Sequence, residues 1–170
     1  MRQYSTSTLW FMRSYLFCIV LLFSCSTTKQ PVEVTGASAQ ETAQAIAEDH
    51  WIFIANYANP QRGQSRVLTS RYSVILKKDT LSSSLPYFGR AYTAVIGEST
   101  SPLDFTSTRF SIDKDDNGKG RWKLNIRPDD KREIQSYSFT FYTNGSAQLN
   151  VQLTNRSAIS FNGSVMPIRK

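Results

Sequence analysis

Four groups of side chains in this 170-residue sequence have the types and spacing to do chemistry. His50 is the single histidine, with Glu48 and Asp49 beside it, and an imidazole next to carboxylates is the raw material of acid–base catalysis. No nucleophile on a recognisable turn motif accompanies it, so His50 reads as a polar residue at a helix-to-strand junction. Asp113-Lys114-Asp115-Asp116-Asn117-Gly118 matches the opening of a calcium loop, with oxygen ligands at alternate positions and a glycine for the bend. The twelfth position, where a bidentate glutamate belongs, is Leu124, and the flanks read as strands, so a polar hairpin is expected and no metal. Arg121, Lys123 and Arg127, followed by Lys131 and Arg132, make a basic stripe that could meet lipid phosphates and otherwise reads as a solvated strand face. Tyr87, Phe88, Arg90 and Tyr92 are the candidate binding surface, since aromatics and arginine are common contact residues, although the same residues could turn a sheet corner.

A fifth group lies near the start of the sequence. Arg13 precedes an uncharged apolar run from Tyr15 to Phe23, the pattern of a secretory signal peptide. The run falls well short of the roughly 20 apolar residues a membrane-crossing helix needs. Leu22-Phe23-Ser24-Cys25 then resembles the lipobox of bacterial lipoproteins. That resemblance implies cleavage between Ser24 and Cys25 and acylation of Cys25 with palmitate-type chains, each buried CH₂ adding ~0.8 kcal/mol of membrane affinity. A start at Met12 instead of Met1 would give a tidier basic segment ahead of the apolar core.

Removing residues 1–24 of 170 leaves 146, enough for one domain with its own core. Arg2 and Arg13 leave with the signal, lowering the formal charge from +7 to +5. Both cysteines are accounted for, Cys18 in the removed run and Cys25 as the lipid site, which excludes disulfides, thiolate catalysis and cysteine-ligated zinc from the mature chain. The sequons at Asn144, Asn155 and Asn162 read as turn and loop chemistry behind a bacterial signal.

The expected organisation is a signal peptide (1–24), a flexible lipidated tether (25–39) and one β-rich domain (40–170). A short helix spans Gln40 to Asp49, with Ala43, Ile46 and Ala47 on one face. Trp51 to Ala55 reads as a strand covered on both faces, and Tyr72, Val74 and Leu76 as the inner face of another. Lys78 to Ser84 reads as a polar loop. A strand is expected to continue from the 85–92 segment to Ile96, and another runs from Leu103 to Ile112 with a bulge near Ser107. Trp122, Leu124 and Ile126, then Tyr137, Phe139 and Phe141, then Ala147, Leu149, Val151 and Leu153 alternate cleanly with polar residues. Ile159, Phe161 and Val165 complete the pattern, and Asn144-Gly145 predicts a type I′ hairpin turn. About eight to nine short strands with one short N-terminal helix give a mainly β fold, either an antiparallel sandwich or a closed barrel.

Leu85-Pro86-Tyr87-Phe88-Gly89-Arg90-Ala91-Tyr92 is similar to the signature of an uncharacterised family of bacterial lipoproteins, domain of unknown function 4251. The similarity extends to Ser70-Arg71-Tyr72, the Phe105 to Phe110 strand, Gly145 to Leu149 and Ile159 to Gly163. It implies an envelope protein behind a lipoprotein signal and brings no catalytic residues. The sequence therefore predicts an exported, lipid-anchored, non-enzymatic binding module without cofactors, held to the membrane through acylated Cys25 on the periplasmic side. Its partner would be an envelope or apolar ligand, or an envelope protein; nucleic acid is excluded by the compartment and by the lack of a stacking platform. A structural or assembly accessory without a small-molecule ligand is the second reading. An enzyme ranks third, because no triad, phosphate loop or paired-carboxylate motif occurs.

Overall fold

A computed structural model of the protein describes residues 38–92, 101–116 and 120–168. The lipobox Leu22–Cys25, the tether before Ser38 and the expected strand continuation to Ile96 lie outside them.

The described chain opens with a capping box. Ser38 accepts from the Glu41 backbone N–H (3.2 Å) and the Glu41 carboxylate accepts from the Ser38 N–H (3.1 Å), which starts helix α1 at Ala39–Ala47. The helix ends two residues before the expected Asp49, which takes a left-handed conformation (φ 55°) and turns the chain into the first strand. Its buried face is Thr42, Ala45 and Ile46, a correction to the expected Ala43, Ile46 and Ala47. Buried Thr42 completes an i, i+3, i+4 triplet with Ala45 and Ile46, while Ala47 is exposed.

Nine strands follow: β1 His50–Pro60, β2 Arg66–Lys77, β3 Thr80–Ser84, β4 Asp104–Ser107, β5 Phe110–Asp116, β6 Arg121–Pro128, β7 Ile134–Tyr142, β8 Ser146–Leu153 and β9 Ile159–Pro167. They form one sheet in the order β4-β3-β2-β1-β9-β8-β7-β6-β5, every pairing antiparallel. It is thus two antiparallel meanders, β1–β4 and β5–β9, joined edge to edge by β1 and β9. The sheet curls until its faces meet across an interior. Trp51 on β1 packs edge-on against Phe139 and Phe141 of β7 (5.0 Å each), Phe105 on β4 against Tyr137 (5.9 Å), and Ser83 on β3 meets the Tyr137 hydroxyl (3.1 Å). The result is a nearly closed barrel, not a sandwich, whose interior is packed with Trp51, Phe53, Tyr137, Phe139, Phe141 and Phe161.

One glycine permits the seam between the meanders. β1 carries a bulge between Ala55 and Tyr57, and Gly163 of β9 lies opposite Ala55. A side chain at Gly163 would collide with the Ile54 carbonyl, so only glycine lets the two backbones approach here.

Four further expectations are corrected. Trp51, Phe53 and Ala55 point inward, but Ile52 and Ile54 are only half-buried, so β1 is covered chiefly on one face. The expected loop from Lys78 to Ser84 contains β3, reached through a tight turn in which Lys78 adopts φ 47°. Its serines disguised it: Ser83 is buried, donates to the Leu103 carbonyl (2.7 Å), and so accepts from Tyr137. Leu103 to Ile112 is two strands at opposite edges of the sheet, so the opposite parities of Phe105 and Phe110 mark a change of edge and not a bulge. The turn after β7 spans Thr143, Asn144 and Gly145, and only Gly145 has positive φ (77°); Asn144 instead accepts from the N–H (3.0 Å) and hydroxyl (2.6 Å) of Ser146. The alternation expected for β6, β7, β8 and β9 is as observed.

Candidate functional site

The register fixes two unlike ends. At one lie α1, the start of β1, the end of β9 and the β2–β3, β5–β6 and β7–β8 turns; at the other lie the connections 61–65, 85–103, 129–133 and 154–158. The candidate binding residues Tyr87, Phe88, Arg90 and Tyr92 are at the second.

They sit on an irregular segment, not a strand: its one ladder contact is the bridge between Ala91 and Arg156. The segment is pinned to the β8–β9 connection. The Tyr87 hydroxyl donates to the Ser157 carbonyl (2.8 Å), the Arg90 N–H donates to the Ser157 hydroxyl (3.0 Å), and the Ser157 N–H donates back to the Arg90 carbonyl (2.9 Å). The Tyr92 N–H reaches the Asn155 carbonyl (2.9 Å). Gly89 is the clearance that makes this possible, because a side chain there would strike the Tyr87 hydroxyl and come within 2.5 Å of Ser157 Oγ.

Tyr87 is therefore a structural member of the predicted set, its ring half-buried beneath the Arg156 guanidinium (5.6 Å). The other three come together. Phe88, Arg90 and Tyr92, with Gln61, Arg62 and Ser157, line a recess of about 450 Å³. The Arg66 guanidinium stacks on Phe88 at 4.7 Å, and Tyr92 is 69% exposed. Among the described residues no carboxylate lines the recess, and neither Arg62 nor Arg90 has an ion-pair partner. Arg62 and Ser157 were not singled out by sequence. Arg62 lies within Asn59-Pro60-Gln61-Arg62-Gly63, a run whose composition signals only a turn, and a serine that locks a tyrosine 70 residues away has no linear signature.

A second recess at this end, about 460 Å³, has opposite character. Asp104, Asp130 and Glu133 line it together with Lys131 and Arg132. Asp130 accepts from Ser107 (2.5 Å), which with the nearby Lys131 and Arg109 cations holds its carboxyl below the ordinary value of 3.8, against the opposing effect of burial. Lys131 also lies over the Phe105 ring (5.6 Å), so these charges are answered locally.

The remaining candidates separate. His50 opens β1, half-buried beside Glu41, Gln44 and Glu48, and among the described residues no hydrogen bond reaches its ring. Asp113 to Asp116 lie on β5, and Leu124 is buried in the core; Asn117 and Gly118 lie outside the described residues. Lys114, the cation within the Asp113 to Gly118 run, caps α1: its ammonium reaches the Ala47 carbonyl (3.1 Å) and Asp49 (2.8 Å). The basic stripe spans the barrel's length, Arg121 and Lys123 towards the helix end and Arg127, Lys131 and Arg132 towards the other, so it is not one patch. Among the described residues no three His, Cys, Asp or Glu side chains gather as a metal site, and no helix is long and apolar enough to cross a membrane.

Fold and site together define a nearly closed antiparallel barrel with helix α1 at one end and an arginine–aromatic recess at the other. The chain belongs to the family described as Domain of unknown function (DUF4251), which it matches over residues 33–165. Among solved structures it is similar to the crystal structure of a DUF4251 family protein from Bacteroides eggerthii DSM 20697, with a TM-score of 0.55 at 15% identity, over 76% of this chain and 87% of that one. No curated protein matches the sequence.

Proposed function

We propose that the protein is an exported lipoprotein of the cell envelope, anchored through Cys25 and facing the periplasm, that binds a small ligand in the Phe88–Tyr92 recess. The observation that carries the binding role is the gathering of Phe88, Arg90 and Tyr92 around one cavity on a backbone cross-tied to Ser157. Ligand sites are concave, with aromatic walls and a few fixed polar groups, and this recess has that make-up. The packed barrel interior argues against a ligand held inside the sheet. The address is supported by Arg13, the apolar run after it and the Leu22-Phe23-Ser24-Cys25 sequence.

Two measurements test this. Cys25→Ala is expected to move the full chain from the membrane fraction to the soluble fraction; unchanged partition and mass would refute the anchor. Native mass spectrometry of protein released from its own membranes is expected to show a bound small molecule that is absent from Phe88→Ala/Tyr92→Ala; identical spectra would refute the recess as a ligand site. A structural accessory role is favoured by one feature, the exposed pair Tyr57 and Val67 opposite each other on β1 and β2, and would show as a protein partner lost in Tyr57→Ser/Val67→Ser.

A further inference from the structure

We infer that the ligand of the Phe88–Tyr92 recess is a small acidic sugar, its carboxylate or phosphate held by Arg62 and Arg90 and its ring laid against Tyr92. The inference rests on the proposed binding role and adds the chemistry of what is bound.

Charge is the first argument. The two recesses at this end are of nearly equal size, yet the second answers its cations with Asp104, Asp130 and Glu133, whereas among the described residues the first holds two arginines and no acid. Guanidinium groups present paired N–H donors that match a carboxylate or phosphate, and an uncompensated pair raises the local concentration of anions. Preorganisation is the second. Both the N–H and the carbonyl of Arg90 are tied to Ser157, so the backbone carrying this cation is fixed before any ligand arrives. The walls are the third. Tyr92 offers a largely exposed ring, and Gln61 adds an amide beside the arginines. An apolar ring face next to a charge and an amide suits a molecule with one C–H face, a rim of hydroxyls and one anionic group; an inorganic ion would leave the aromatic wall unused.

A soluble sugar and a phospholipid headgroup could both bring such an anion, and the vesicle arm of the titration separates them.

Isothermal titration of the purified full chain with glucuronate, glucose 6-phosphate and glucose tests the inference, with phosphatidylglycerol vesicles and inorganic phosphate as separate arms. Glucuronate or glucose 6-phosphate is expected to bind with an affinity that falls as salt rises, and glucose at least tenfold more weakly. Arg90→Ala and Arg62→Ala should each weaken the acidic sugar about tenfold or more, Tyr92→Ala should weaken it several-fold, and Lys123→Ala on the outer stripe should leave it unchanged. Equal binding of glucose, lost in Tyr92→Ala, would overturn the anionic specificity and leave the recess standing as a site. Arginine-dependent binding of vesicles or of phosphate alone, without the sugars, would overturn the sugar. Binding of none of the probes would overturn the inference outright, and the native mass spectra would then decide the recess independently.

Discussion

The two ends of the barrel are held by different means. At the helix end Thr42, Ala45 and Ile46 are driven into the core, and a single lysine, Lys114, steadies the helix terminus from the neighbouring strand. At the far end the ties are hydrogen bonds between irregular segments, centred on Tyr87 and Ser157; Arg62 and Arg90 have no ion-pair partner among the described residues, and Tyr92 is exposed. Apolar burial is non-directional and forgiving, so it serves to stabilise; a hydrogen-bonded clasp fixes atoms in place, so it serves to present a site. On the proposed binding role, the difference divides stability from recognition between the two ends.

The largest effect that tests this division comes from Ile46→Ala, expected to cost about 2–5 kcal/mol by removing a buried side chain at the helix end, without altering ligand binding below the transition. Thermal melts and titration of the same sample would check both halves. Gly89→Ala should do the converse. It evicts the Tyr87 hydroxyl from its place against Ser157, costing about 1 kcal/mol of stability while abolishing ligand binding. If Gly89→Ala destabilises as much as Ile46→Ala, the division of labour fails.

Two smaller effects sharpen the boundary between the ends. Tyr137 links the sheet's two faces from inside, and burial raises its phenol above the ordinary 10.0. The folded state therefore holds this proton more tightly than the unfolded chain, so its contribution is complete below pH 10 and declines as pH rises beyond it. Denaturation in alkali should show this slope, and Tyr137→Phe should flatten it. Asp130 shifts the other way. Its lowered pKa contributes stability above 3.8 that is lost as pH falls through the folded value, so the pH-dependent part of the gap between wild type and Ser107→Ala should shrink in acid. A gap that widens in acid would contradict the Ser107–Asp130 contact.

Sequence reasoning read the second meander well and the first poorly, for a physical reason. β6, β7 and β8 alternate large apolar with polar side chains, so each inward residue announces itself. β3 buries Leu81 and Ser83, and a serine that is buried because it bridges Leu103 and Tyr137 looks in sequence like loop. The break between β4 and β5 was visible as a parity clash, but a bulge and a jump to the opposite edge leave the same trace in one dimension. At the site, Phe88, Arg90 and Tyr92 were legible by type and proximity. Arg62 and Ser157 were not, since each joins the recess only through the packing of three separate connections.

The pairing of β1 with β9 sets the order in which the molecule can form. Trp51 lies opposite Pro167, so the first strand waits for the last before its outer hydrogen bonds are met. During synthesis the β1–β4 half emerges with that rim bare, a row of donors and acceptors beside Trp51 and Phe53 with nothing yet to receive them. Until the ribosome has delivered β9, this nascent half is sticky and unfinished.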